Sequence, residues 1–292
     1  MTEEKHIKIA CEGGGIKVLA QLFSLHTLSL NGYIFDELAG TSAGSIITAL
    51  LAYGYGFNDI YEIFGTKLEF SRFKDYGPAA WAKGALCKGN YLENSMAKLL
   101  GDAIFSEIKT PLHIMATNVT KKKGEFFDHQ TSPDMNVALA VRLSCSIPGY
   151  YVTKRHNRFK FWDGSFCANL PLEAFDNSEN VIGILLKTAD EDSPTTFWET
   201  FLIIPALIDI YFKELESRYI PKDKWKDILV INTGNVSTVD FSLNCDDLRK
   251  LAEAGVNGAV EFLVNKRGFV KENVIIPDVG RAINLLGTNL NE

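Results

Sequence analysis

No Cys-x-x-Cys pair and no Cys/His cluster with zinc spacing occurs around the five cysteines, Cys11, Cys87, Cys145, Cys167 and Cys245. An odd and scattered set excludes a disulfide framework or a structural zinc site as the organising element, and buried free thiols in a reducing compartment are expected instead. Positive charge is not in excess either: 30 basic residues against 36 acidic ones give a formal net charge of -6. That balance supplies no field to draw nucleic acid. The opening "MTEEKHIKIACEGGG" lacks the apolar core and small-residue cleavage site of a signal peptide. Cytoplasmic residence is the expectation. Long apolar runs are also missing. The best candidate, residues 197–212, "FWETFLIIPALIDIYF", contains Glu199, Pro205 and Asp209 and is shorter than the about 20 apolar residues a membrane-spanning helix needs. The acidic pairs Glu191-Asp192 and Asp246-Asp247 lack the spacing of a calcium loop, so neither a metal nor another cofactor is expected.

What is present is a core-forming composition, 46% hydrophobic over 292 residues. "IKIAC" (residues 7–11) reads as a buried first strand ending at the glycines Gly13, Gly14 and Gly15, and "KVLAQLFSLHTLSL" as a helix stopped by Asn31-Gly32. The order then repeats: "YIFDELAG" as a strand, a turn at Ser42, and "AGSIITALLAYGY" as a helix. Strand, glycine turn and helix in alternation predict an α/β fold with parallel neighbours in its sheet. Further on, "PLHIMATNV" and "GEFFDH" read as a hairpin, "NVALAVRLSCS" as a helix, and "FKFWDGS" as a strand entering a turn. Strands are also expected at "VIGILLKT" and "DILVINTG", with helices around 195–219 and 246–265. No repeat, low-complexity tract or linker interrupts the chain, so residues 1–292 read as one domain.

The stretch Gly40-Thr41-Ser42-Ala43-Gly44 matches G-x-S-x-G. In that pattern a serine sits on a strained turn between strand and helix, with glycines accommodating the crowding. An ordinary turn of small residues produces the same letters, and the pattern alone does not choose. Gly13-Gly14-Gly15 offers amides without side chains that could approach an oxyanion. It fits neither a P-loop, which needs G-x-x-x-x-G-K-[ST], nor the G-x-G-x-x-G dinucleotide pattern, because Val18 stands at the last position. A purely structural turn stays open. None of the five histidines carries a motif around it. Asp163-Gly164, at the end of the aromatic strand, is a better partner for Ser42 than any of them, although Asp-Gly is also a common turn.

Together these pieces resemble the patatin-like phospholipases: "EGGGIK", "GTSAGS", "RLSCSIPGYY" at Arg142–Tyr151 and "DGSFCANLP" at Asp163–Pro171, in the family's order within residues 11–171. The resemblance implies a three-layer α/β/α fold with a mostly parallel central sheet. It implies a Ser-Asp dyad of Ser42 and Asp163, elbow glycines Gly40 and Gly44, an oxyanion hole at Gly13, Gly14 and Gly15, and anion binding by Lys17. The chain departs from the family at Val18, where a glycine is usual, at Ser165 in place of Gly or Ala, and at Asn169-Leu170-Pro171, where paired asparagines precede the proline.

The implied activity is hydrolysis of fatty-acyl esters of membrane phospholipids through an acyl-enzyme. An acyltransferase using the same dyad and a slow or inactive lipid-binding module are the alternatives. An aspartate near its ordinary pKa of about 3.9 is a poor base toward a hydroxyl, so positioning and the oxyanion hole must carry much of the catalysis. The partners implied are an acyl lipid and, transiently, a membrane surface. Residues 69–89 combine Phe70, Phe73, Tyr76 and Trp81 with Arg72, Lys74, Lys83 and Lys88. This stretch reads either as a lid or lipid contact, or as a solvated loop whose aromatics enter the core.

Overall fold

A computed structural model describes residues 4–175, 179–188, 220–234, 236 and 244–287. Its strands are β1 (Lys5–Cys11), β2 (Tyr33–Thr41), β3 (Leu112–Asn118), β4 (Lys123–Phe127), β5 (Lys154–His156), β6 (Phe159–Asp163), β7 (Val181–Lys187) and β8 (Ile228–Asn232). The helices are α1 (Val18–Leu30), α2 (Ala43–Tyr53), α3 (Phe57–Glu62), α4 (Pro78–Trp81), α5 (Asn90–Leu100), α6 (Val137–Ser144), α7 (Cys245–Arg267) and α8 (Val279–Leu286).

The eight strands join one sheet, hydrogen-bonded in the succession β5-β6-β3-β2-β1-β7-β8, with β4 on the edge of β3 opposite β2 and β6. Pairings from β3 through β2, β1 and β7 to β8 are parallel, while β4, β5 and β6 enter antiparallel. The α/β fold with parallel neighbours is thus as the alternation of elements predicted, and the mixed, mostly parallel sheet flanked by helices as the resemblance implied. Side chains one residue apart on a strand point to opposite faces. Ile7, Ile9, Cys11, Leu38, Ile182 and Ile184 accordingly enter the main core, where α1, α2, α6 and α7 supply the facing side chains. Ala10, Ala39 and Val181 face the other side, against Leu170, Leu172, Ala174 and Phe175.

Local signals account for the element ends. The Asn136 side chain accepts the Leu139 amide to start α6, Asn244 accepts from Asp247 to start α7, and Gly268 in the left-handed region ends it. The sequence did not announce β5, a charged three-residue strand that exists by pairing with β6, nor α3, α5 or α8. Cys11, Cys87 and Cys145 are buried free thiols as expected, whereas Cys167 and Cys245 are free but exposed, at the end of a 3-10 turn and at the first position of α7. The helix expected around 195–219, with the apolar run 197–212, lies outside the described residues. Among the described residues no helix is long and apolar enough to cross a membrane.

One polar chain crosses the sheet. Lys8 pairs with Glu37 at 2.6 Å, Glu37 with His113 at 2.7 Å, and His113 with Asp128 at 3.2 Å. Burial opposes the charge on His113, but the hydrogen bonds to Asp128 and Glu37 outweigh it and raise its pKa. Burial likewise opposes the Asp128 carboxylate, and its bonds to His113, Thr131 and Gln130 bring it down to about 2. Asp128 therefore adds stability above its unfolded pKa, which is lost as pH falls toward about 2. His113 adds stability below its unfolded pKa, which is lost as pH rises through the raised folded value. Replacing His113 by Leu should cost about 3 kcal/mol at neutral pH by taking from the buried Asp128 carboxylate its charged partner. It should also remove the alkaline decline that His113 contributes; urea unfolding across pH measures both.

Candidate active site

The position of Ser42 follows from its neighbours on the turn. Its φ of 50° lies where side-chain-bearing residues are strained, so the turn persists only because its surroundings hold it. The Ser42 amide donates to the Ser144 hydroxyl at 2.8 Å, and the Ser42 carbonyl accepts the Ser45 amide at 2.9 Å. Glycines are required on both sides by close approach. A Cβ on Gly40 would lie 2.3 Å from the Thr48 hydroxyl, and one on Gly44 would lie 2.5 Å from the Glu12 carbonyl oxygen. α2 then starts directly behind Ser42, with its positive end toward the turn.

Asp163 reaches Ser42 because two strands meet along one edge of β3. β4 occupies one edge of β3 over Ile114–Asn118. Both β2, paired with Leu112–Met115, and β6, paired with Ala116–Asn118, must therefore use the other edge. β2 runs parallel to β3 and β6 antiparallel, so their C-terminal ends converge: Thr41 stands opposite Met115, and Asp163 opposite Ala116. Beyond Asp163 the chain turns at Gly164, where a Cβ would lie 2.3 Å from the Met115 carbonyl oxygen.

The outcome is a direct hydrogen bond, with the Ser42 hydroxyl donating to Asp163 Oδ2 at 2.6 Å. The other carboxylate oxygen accepts the Ser165 amide at 2.9 Å. Asp163 is 0% exposed and Ser42 7%. Burial pushes the Asp163 carboxyl up to about 6, against the hydrogen bonds from Ser42 and Ser165 that favour its charged form. An aspartate close to its ordinary pKa was expected; removal from water makes this one a stronger base.

Gly13 contacts both partners' surroundings: a Cβ there would lie 2.9 Å from Ser42 Cβ and 2.6 Å from the Ser165 hydroxyl oxygen. Its amide donates to the Asn169 carbonyl at 3.2 Å. Gly14 and Gly15 follow, Gly15 with a φ of 53° as the chain enters a 3-10 turn that ends at Lys17. Lys17 is buried, and its amine donates to the Thr188 hydroxyl at 2.8 Å. Two serines without an assigned role in the sequence complete the arrangement. Ser144 holds the Ser42 amide, and the Ser146 carbonyl accepts the Asp163 amide at 2.9 Å. Both lie in "RLSCSIPGYY", and the spacing within that stretch is the signal that could have found them. Three of the five histidines are engaged elsewhere: His6 with Asp36, His26 with Tyr61, and His113 as described. A cavity of about 530 Å3 borders the site at Ser165 and Asn169, but its lining includes neither Ser42 nor Asp163.

A family model described as patatin-like phospholipase matches residues 9–176, which contain every residue of this arrangement except Thr188. The chain belongs to the patatin-like phospholipase family. Membership implies a serine hydrolase. Among relatives, the uncharacterized protein YqhO of Bacillus subtilis is 28% identical over 279 residues, 86% of this chain and 96% of that protein. The protein named probable lipid hydrolase 463L of Invertebrate iridescent virus 6 is 24% identical over 285 residues, 91% of each chain. Among solved structures, VipD from Legionella pneumophila matches at a TM-score of 0.55 and 15% identity, covering 90% of this chain and 67% of that one. That likeness concerns the fold alone.

The elbow is tight enough to be tested by one methyl group. Gly44→Ala should destabilise the protein by about 2 kcal/mol through overpacking against the backbone of β1's end. It should also slow covalent labelling of Ser42 by a fluorophosphonate; thermal melting and labelling rates measure the two effects.

Proposed function

We propose that this protein is a lipid acyl hydrolase of the phospholipase A type, cleaving fatty-acyl esters of phospholipids. The observation that carries the reading is the 2.6 Å hydrogen bond from the Ser42 hydroxyl to a buried Asp163 carboxylate. In the first step the Ser42 oxygen attacks the ester carbonyl while its proton passes to Asp163 Oδ2, giving a tetrahedral oxyanion. Collapse expels the lysolipid alcohol, which takes the proton back from Asp163 and leaves an acyl group on Ser42. Water then attacks that ester while its proton passes to Asp163, and collapse releases the fatty acid as the Ser42 oxygen takes the proton back.

The oxyanion donors in this reading are the amides of Gly14 and Gly15, with Gly13 backing the loop because its own amide is bonded to Asn169. One such donor is worth about 3 kcal/mol in the transition state. The positive end of α2 adds to it. Lys17, held by Thr188, contributes positive charge beside the loop. The family and the name of the viral relative, probable lipid hydrolase, support a lipid ester as substrate.

A membrane surface is the proposed source of that lipid. In the segment 69–89 the aromatics divide: Phe73 is buried, while Tyr76 and Trp81 are 52% and 59% exposed. Exposed Lys83 follows Trp81 on the same tip. An indole and an ammonium together suit the boundary between headgroups and acyl chains.

Asp163→Asn should keep the fold and lower kcat by about 100-fold or more, and Ser42→Ala should abolish fatty-acid release from mixed phospholipid vesicles, read by mass spectrometry. Because the base must be ionised, kcat/KM should fall on the acid side with a midpoint near the Asp163 value of about 6. Fatty acid released equally by wild type and Ser42→Ala would refute the reading. Trp81→Ala should weaken sedimentation with anionic vesicles and reduce hydrolysis of vesicle lipid more than hydrolysis of a soluble short-chain ester. Equal loss on both substrates would remove this tip from the membrane contact.

A further inference from the structure

Among the described residues the largest fully buried side chain is a charged one, Arg142, 1% exposed near the end of α6. Burying a guanidinium is costly unless its donors are met. Here they are met by neutral oxygens from three separate parts of the chain. Nε donates to the Gly89 carbonyl at 3.0 Å, Nη1 to the Ser146 hydroxyl at 2.7 Å, and Nη2 to the carbonyls of Lys88 at 3.2 Å and Val152 at 3.0 Å. The Tyr151 ring lies 5.5 Å from the guanidinium carbon. The Ser146 hydroxyl in turn donates to the Arg142 carbonyl at 2.9 Å.

The surroundings are shaped to admit this group. Gly89 has a φ of 73°, and a Cβ there would lie 2.3 Å from Nη2. Asp75 fixes the same turn from the other side, accepting the amides of Gly89 and Asn90 at 2.8 Å each and that of Tyr91 at 3.2 Å. Residues 88–89 and 152 thus form an anchored wall, and Arg142 ties residue 146 to it.

Residues 144–146 are also what separates and aligns the two members of the dyad. Ser144 holds the Ser42 amide through its hydroxyl, and Ser146 holds the Asp163 amide through its carbonyl. Between them Cys145 is buried, its sulfur 4.0 Å from the Ser45 hydroxyl. A shift of this short stretch would move both amides, and with them the Ser42–Asp163 distance.

We propose that Arg142 is a positioning residue for the dyad, setting the separation of Ser42 and Asp163 through Ser144 and Ser146. The inference rests on the hydrolase reading above. Arg142 touches no reacting atom; it acts by pulling the 144–146 stretch against the wall at Lys88, Gly89 and Val152. A lysine offers one ammonium where the guanidinium fork reaches four acceptors, so it cannot span the same points. Ser146→Ala removes one of those acceptors and leaves the backbone carbonyl in place.

The test is kinetic, on Arg142→Lys and Ser146→Ala, with p-nitrophenyl butyrate as a water-soluble ester and thermal melting to follow folding. In folded Arg142→Lys, kcat should fall by about 100-fold, as for a displacement of about 1 Å at a reacting pair, with KM little changed. The acid limb of kcat/KM should move to higher pH, because a loosened bond from Ser42 favours the charged carboxylate less. Ser146→Ala should move both in the same direction by less. Loss of kcat only in proportion to the unfolded fraction, with an unmoved acid limb, would overturn the inference, as would wild-type values in both folded variants. Should Arg142→Lys not fold, Ser146→Ala decides by the same readouts. Wild-type protein without turnover or fluorophosphonate labelling that depends on Ser42 is a separate outcome: it would overturn the hydrolase reading itself and this inference with it.

Discussion

A hydroxyl-to-carboxylate hydrogen bond removed from water is the constraint around which this molecule is arranged. A buried carboxylate is unfavourable unless donors compensate, and Asp163 has the Ser42 hydroxyl and the Ser165 amide among its donors. Desolvation still leaves its pKa near 6, a value that suits a base working at neutral pH better than an exposed aspartate would. The same burial demands that Ser42 be held in a conformation its own backbone disfavours. The strain is offset by the Ser144 hydroxyl on one side of the peptide and the first turn of α2 on the other.

β3 is the common reference for both partners. Its shared edge lets a parallel strand and an antiparallel strand end against each other, so two residues separated by 121 positions in sequence come within 2.6 Å. The mixed character of the sheet is therefore a requirement of the site. A sheet with every strand parallel would bring Asp163 to the same end of the sheet without turning its strand end toward Ser42. Thr41 adds a tie across the junction, donating to the Ala168 carbonyl at 2.8 Å and so fixing the elbow to the chain that follows Asp163.

Much of this was legible beforehand, for reasons that can be named residue by residue. Short apolar runs at β1 and β2, together with the glycines after each, marked strand, turn and helix, because buried strands and tight turns leave local signatures. Asn31-Gly32 marked the end of α1 by the same logic. β5 left no such signature, since Lys154-Arg155-His156 is a strand only by virtue of its neighbour β6. The exposed positions of Tyr76 and Trp81, beside buried Phe73, could not be separated by composition, because all three are aromatic and only packing distinguishes them. Lys17 and Arg142 are charged residues that a sequence places on the surface by default. Both are buried, because oxygen acceptors distant in sequence converge on them.

By itself, the sequence determined the α/β alternation, the elbow letters around Ser42, and an aspartate followed by glycine at a strand end. These are local properties, decided by side-chain volume, backbone freedom and periodicity within a few residues. Only the tertiary structure decided that Ser42 and Asp163 touch, that the carboxylate is dry, and that one buried arginine ties the stretch holding both amides to a distant loop. Those depend on which edge of β3 each strand takes and on how completely water is excluded. Distance and desolvation are properties of the packed chain, and no short stretch of residues encodes them.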